Sequence, residues 1–500
     1  MYLLGYDVGS SSIKATLLEA ESGKIYATAT SPENELGIIS IKPGWAEQSP
    51  EVWWEHVKHA TARILSKVKI NAGDIRAIGI SYQMHGLVIV NKKYEVLRPS
   101  IIWCDSRAVN IGDQSFKEIG EEKCLQHFLN SPGNFTASKL KWIRENEPDI
   151  FAQIFKVMLP GDYIAMRMTG EIKTTPSGLS EGIMWDYTNQ SLADIILSYY
   201  GIPRDIIPEV VPTFSIQGEL TRRAADELGL KPGIVISYRA GDQPNNALSL
   251  NVLNPGEVAA TAGTSGVVYG VSNRAGYDAQ SRVNTFIHVN HTAANPRYGV
   301  LLCINGTGIL NTWLKHNVVS GEPKLSTYEN MNELVSRIPA GAEGLTIIPY
   351  GNGAERTLRN KDIGASIHGL NFNTHTRSHL LRAGQEGIVF AFNYGLEIIR
   401  DMGVDVSTIR AGYANMFLSP VFGEIFSTVT QAVVDIYNTD GSQGAARGAG
   451  IGTGIYKTMT EAFAGLSTIK VIEPNQVLES TYLEAYKKWI ELLESIIQGK

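Results

Sequence analysis

Cysteine is scarce: only Cys104, Cys124 and Cys303 occur in 500 residues, far apart and without a CxxC pair. That excludes a disulfide framework and a zinc site of ordinary spacing, and it fits a reducing compartment. A dominant sign of charge is lacking as well. The net charge is -6 with acids and bases mixed along the chain, so no basic stripe is available to neutralise a nucleic-acid backbone. No apolar run reaches the length of a membrane span. Met1 runs straight into Tyr2-Leu3-Leu4-Gly5-Tyr6 and an acidic residue, without a basic leader or a cleavage site. The expectation is a cytoplasmic protein with neither nucleic acid nor membrane as partner. Two common nucleotide signatures are missing. Gly23-Lys24 lacks both the earlier glycine and the following Ser or Thr of a phosphate-binding P-loop, and there is no dinucleotide fingerprint.

What is present is a long chain with 43% hydrophobic residues, too long for one core and able to bury two. Residues 2–8 and 12–19 read as strands joined by Gly9-Ser10-Ser11. Residues 257–262 and 266–269 repeat the device around Gly263-Thr264-Ser265. Ser49-Pro50-Glu51 opens a helix whose apolar positions run from Val52 to Leu65, residues 75–81 alternate like a strand, and 87–90 with 96–103 suggest further sheet. Helical spacing returns at 384–402 and 478–497. Strands alternating with helices imply an α/β fold. A polar stretch from Asn245 to Asn254 marks the expected seam, giving domains 1–247 and 248–500.

Four constellations could carry chemistry. In Asp7-Val8-Gly9-Ser10-Ser11-Ser12 a carboxylate at a strand end precedes a turn whose amides and hydroxyls can face phosphate oxygens, while the carboxylate can hold hydrated magnesium. An ordinary polar hairpin would use the same residues. Ala262-Gly263-Thr264-Ser265-Gly266 offers the same chemistry again, so a nucleotide held between two hairpins becomes an expectation. Asp242 follows an apolar strand, where it could orient and deprotonate an attacking hydroxyl or simply make a turn. Gln83-Met84-His85-Gly86 and Trp103-Cys104-Asp105-Ser106-Arg107 place polar groups beside an apolar or aromatic wall, as a sugar site needs. His85 and Trp103 could equally be core residues, and Asp105 with Arg107 a local ion pair.

In this order the motifs resemble the FGGY carbohydrate kinases, most closely the xylulokinase branch. The resemblance also takes in Trp45-Ala46-Glu47-Gln48-Ser49-Pro50, Leu159-Pro160-Gly161-Asp162-Tyr163, Gly353-Ala354-Glu355-Arg356-Thr357 and Gly444-Ala445-Ala446-Arg447-Gly448-Ala449. It implies two actin-like domains around a central cleft and ATP-dependent phosphorylation of D-xylulose, with Mg2+ as cofactor. Asp242 is then the general base and Asp7 positions the metal. Gly9, Ser10, Ser11 and Ser12, with Gly263, Thr264 and Ser265, grip the phosphates. Met84, His85, Asp242 and Gln243 meet the sugar, with Trp103 and Asp105 close by, and Gly412 and Asn415 fall in the adenosine region. A homodimer is a further implication. The chain departs from the pattern at Tyr413, where the family carries glycine, and at Gln243-Pro244, where xylulokinases commonly have Asn after the base. The segment Thr174-Thr175-Pro176-Ser177-Gly178-Leu179-Ser180-Glu181 receives no role from the resemblance. A kinase for another small ketose or polyol, or a non-catalytic nucleotide-gated sugar sensor, would share much of this outline. Keeping both hairpins and Asp242 favours the enzyme.

Overall fold

The computed structural model describes residues 1–319, 327–359 and 361–499. Its first sheet contains β1 (Tyr2–Val8), β2 (Ile13–Glu19), β3 (Ile25–Ser31), β4 (Ile75–Tyr82), β5 (Phe214–Glu219) and β6 (Val235–Gly241), in the order β5-β6-β4-β1-β2-β3. The second contains β7 (Val258–Ala262), β8 (Gly266–Ser272), β9 (Asn284–Ile287), β10 (Tyr298–Ile304), β11 (Thr408–Gly412), β12 (Val433–Tyr437) and β13 (Thr468–Ile472), in the order β9-β10-β8-β7-β11-β12-β13. The β1-β2 hairpin continues into parallel β4 and β6 just as the β7-β8 hairpin continues into parallel β11 and β12. The repeated hairpin read from the sequence is thus one corner of a larger repeated unit.

The inner strands are near-continuous apolar runs because they are covered on both faces. On one face of the first sheet, Leu4, Tyr6 and Val8 share a core with Trp53, Trp54 and Val57 of α1 (Pro50–Lys67). Each such side chain, fully buried, contributes about 1.5–3 kcal/mol. Further helices are α2 (Thr136–Asn146), α3 (Pro160–Thr169), α4 (Pro176–Glu181), α5 (Asp242–Ser249), α6 (Gly308–Asn317), α7 (Arg377–Asp401), α8 (Gly441–Gly452) and α9 (Glu479–Ile497). The second sheet packs on α7 and α9 through residues such as Val258, Val268, Phe392 and Trp489. A third core joins the two halves, since Met84, Phe135 and Leu179 pack with Ala247, Tyr269 and Phe286.

Three segments differ from their sequence reading. The stretch expected as an irregular seam begins inside α5, with Pro244 tolerated in the helix's first turn. The helix read from Gly384 starts at Arg377 instead. Thr376 and His379 cap it reciprocally, and Gly384 and Gly387 are there for close packing against Leu314 and the Ile347 carbonyl. The strands read at 87–90 and 96–103 are short pieces, Val88–Val90 and Ser100–Ile101, which pair with Lys156–Met158 and Glu47–Gln48. Finally, α8, although it follows the second sheet in sequence, lies against β1, β4 and β6 of the first.

Candidate active site

The parallel pairing of β1, β4 and β6 sets Val8, Tyr82 and Gly241 abreast. The residues that follow, Gly9, Gln83 and Asp242, therefore leave the sheet along one edge. Ligands of α/β sheets bind at such carboxyl ends. In the second sheet Gly412 and Tyr437 stand abreast in the same way, and the chain beyond Tyr437 leads through Asp440 into α8.

Asp7, one residue short of that edge, accepts a hydrogen bond from Ser81 Oγ at 2.9 Å. Burial pushes its carboxyl up, and Asp440 adds to the shift against the opposing effects of Ser81 and Lys14. Gly441 lets this happen: a Cβ there would sit 2.8 Å from the Asp7 carboxyl carbon. The carboxylate thereby reaches the first turn of α8, whose dipole favours a negative charge. The Gly9–Ser12 turn closes through a Gly9 N–H to Ser12 carbonyl bond of 3.1 Å, and Gln48 Nε2 fixes the Ser10 carbonyl at 2.7 Å.

Asp242 opens α5, and Gln243 Nε2 donates to its Oδ2 at 3.1 Å. Burial, followed by the charge of Asp7, pushes the Asp242 carboxyl up to about 7. A carboxylate in that range is a better proton acceptor than a solvated one and is still ionised near neutrality.

His85 has φ 61°, a conformation uncommon for a non-glycine residue, and it is held there from three sides. Lys139 Nζ donates to its carbonyl at 2.9 Å, its ring lies between Phe135 and Phe286, and its Nδ1 sits 2.9 Å from the Glu181 backbone carbonyl. A carbonyl can only accept, so Nδ1 carries the proton. Burial, with Lys139 nearby, pushes the imidazole down to about 3, so it is neutral and its Nε2 is left as an acceptor.

The other expected residues divide. Trp103 is 43% exposed, and its indole N–H reaches Ser10 Oγ at 3.3 Å, beside the first hairpin. Met84 is buried next to Gly241. Asp105, expected close to the sugar, is fully buried, with Oδ2 accepting from the Ala46 N–H and both oxygens engaged by Arg107. Arg107 also pairs with Glu47 and lies over Trp45. Asp105 thus fixes the loop that carries Trp103 and has no free oxygen to offer a ligand. In the second half, the Gly263 and Thr264 carbonyls accept from the first amides of α6, and Asn415, with φ 54°, sits beside Gly263. Tyr413 is half exposed at the end of β11.

Sequence reasoning missed Glu181, Ser81 and the Asp440-Gly441 pair. An acidic residue followed by glycine and serine at a helix start is a signal for the last of these; nothing local marks the first two.

Residues 2–249 match the model of the N-terminal domain of the FGGY family of carbohydrate kinases, and residues 258–449 that of its C-terminal domain. The chain belongs to the FGGY family of carbohydrate kinases. It is 30% identical over 471 residues to a xylulose kinase of Bacillus subtilis, covering 92% of this chain and 90% of that one. It is 28% identical to a xylulose kinase of Staphylococcus xylosus, covering 92% of both. The crystal structure of xylulose kinase from Rhodospirillum rubrum superposes with a TM-score of 0.86 at 25% identity over 99% of each chain. As an FGGY kinase, this enzyme has two actin-like domains and moves a phosphoryl group from ATP to a sugar. Among the described residues no helix is long and apolar enough to cross a membrane.

Proposed function

We propose that this FGGY kinase transfers the γ-phosphoryl group of ATP to the terminal hydroxyl of D-xylulose, with Asp242 as general base. The observation that carries the reading is the Asp242 carboxyl, which emerges from the strand edge shared with the first hairpin and is poised near neutrality. Asp242 takes the proton of the attacking hydroxyl as the oxygen bonds to phosphorus and ADP departs. His85 Nε2 accepts a hydrogen bond from another sugar hydroxyl and so aims the reacting one. The amides of both hairpins hold phosphate oxygens, and Gly412 with Asn415 faces the adenosine.

Asp440 acts on Asp7 as a like charge, and Asp7 on Asp242, an accumulation around Asp7 that suits a divalent cation bound there through one or two carboxylates, water and phosphate. No three His, Cys, Asp or Glu residues converge as a complete ligand cage among the described residues. Mg2+ at Asp7 would supply neutralisation of phosphate charge. The names of the relatives and the Met84-His85-Gly86 step support xylulose as the acceptor. In this reading the protein is cytoplasmic, on the strength of its scarce and unpaired cysteines, and a homodimer, on the strength of the resemblance.

Coupled ADP release with Mg-ATP against D-xylulose and a panel of ketoses and polyols tests the substrate. Turnover concentrated on D-xylulose is expected, and preference for another sugar would move the substrate while keeping the chemistry. The pH profile tests the base. Since only ionised Asp242 can accept the proton, kcat/KM should rise with pH through about 7. A flat profile from pH about 5 to about 8 would place the base elsewhere.

A further inference from the structure

Lys139, near the start of α2, is fully buried. Lysine is almost never found so deep without an ion-pair partner, yet the carboxylate of the adjoining loop, Asp105, is taken by Arg107 and the Ala46 N–H. Among the described residues the Lys139 ammonium donates instead to two backbone carbonyls, those of His85 and Ile102, each at 2.9 Å. These carbonyls belong to the stretch that carries His85 and to the turn that leads into Trp103. We propose that Lys139 is a positioning residue: its ammonium ties the backbone of His85 to the turn that carries Trp103 and thereby aims the His85 imidazole at the sugar. The inference rests on His85 as a sugar contact.

The two stretches run together only as far as an isolated bridge between Leu87 and Ile101, where the Leu87 N–H donates to the Ile101 carbonyl at 3.0 Å. Past that bridge, among the described residues, no backbone hydrogen bond joins them, and Lys139 takes one carbonyl from each. The two acceptors do not depend on it equally. Ile102 also accepts the Asp105 N–H at 3.2 Å, whereas among the described residues Lys139 is the one donor to the His85 carbonyl. A carbonyl that faces a fully buried ammonium is left without a donor once the ammonium is gone, at a cost that turns the peptide.

His85 is the residue that such a turn would disturb most. Its φ of 61° is a setting that a non-glycine residue keeps only while its surroundings hold it. Phe135, Phe286 and the Glu181 carbonyl confine the ring, but they do not fix the peptide plane that follows it. Lys139 does, and from a firm base. The Ala137 N–H bonds to the Gly182 carbonyl at 3.0 Å, and Ala137, Leu140 and Ile143 of α2 are buried in the core that joins the two halves.

A double-mutant cycle on the intact enzyme tests the proposal. Lys139→Met keeps the length of the side chain and loses its donors. It should lower kcat/KM for the preferred sugar of the panel by about 10- to 100-fold, the loss that a misplaced group brings, while KM for ATP at saturating sugar stays within about twofold. In a His85→Ala background the same substitution should cost about threefold or less, because no imidazole is left to aim. Equal losses in both backgrounds, or a rise in KM for ATP as large as that for sugar, overturn the proposal, since loosening of the fold alone would give either. If Lys139→Met leaves kcat/KM for the sugar intact while His85→Ala lowers it, the proposal fails and His85 keeps its place at the sugar. If His85→Ala is itself without effect, the sugar contact falls and the proposal with it. Should Lys139→Met fail to fold, Lys139→Gln, whose amide stops short of the two carbonyls, takes its place in the cycle with the same outcomes.

Discussion

Asp242→Asn is expected to lower kcat by about 10²- to 10⁴-fold, the range for removing a general base, while making the folded chain more stable above neutral pH. Asparagine keeps the size and the hydrogen bond with Gln243 but cannot accept the proton. The stability gain follows from linkage. The folded-state pKa of Asp242 is raised from 3.8 to about 7. Folding thus favours the protonated carboxyl, and the stabilisation present at low pH is lost as pH rises through about 7. The amide has no proton to lose, so at alkaline pH the variant should gain at least about 1 kcal/mol, discounting for partial solvent access. Thermal melts beside coupled ADP release check both parts. A variant that is both slower and more stable cannot be explained by misfolding. One within tenfold of the wild-type rate would mean that another group takes the proton.

The two halves of that argument were not equally legible in the sequence. The placement of Asp242 after an apolar strand was, as were the two hairpins, because a short apolar run, a glycine turn and a second apolar run are local signals. The α/β class followed from the alternation of such runs with helical spacing. The parallel register that sets Val8 and Gly241 beside Tyr82 joins strands more than 60 and more than 150 residues apart. No window on the sequence contains it. Nor could composition show that the Asp105 carboxylate is consumed by Arg107 and Ala46, since an Asp two residues from an Arg reads alike whether buried or open. Glu181 was invisible for a related reason: its carboxyl is admitted by what is missing beside it, a side chain at Gly241, and absence in space leaves no mark on spacing.

The largest gap in that reading is α8, and it leads to the strongest stability prediction. Gly441, Gly444, Gly448, Gly450 and Gly452 lie within twelve helical residues, and each costs about 1 kcal/mol of helix propensity relative to alanine. As a sequence this looks like a loop. It is helical because β1 and β4 offer a matching bare surface, with Gly5 directly opposite Gly79 in the parallel register. A Cβ on Gly79 would stand 2.7 Å from the carbonyl carbon of Ala445 and 3.3 Å from Ala449 Cβ, and one on Gly5 would strike the Ser442 and Ala446 backbone. Backbone cannot turn aside as a flexible side chain can. Gly79→Ala is therefore expected to cost about 3 kcal/mol or more, at or beyond the upper end for overpacking. Gly37→Ala, where an added Cβ meets nothing within 4 Å, should stay within about 0.5 kcal/mol of wild type. Urea unfolding midpoints of the two variants make the comparison. Activity should fall along with stability in Gly79→Ala, because lifting α8 off the sheet carries Gly441 and Asp440 away from Asp7 and loosens the site where the halves meet. If Gly79→Ala unfolds at the same urea concentration as Gly37→Ala, the helix does not press on the sheet at this point, and the close contact cannot be what holds Asp440 beside Asp7.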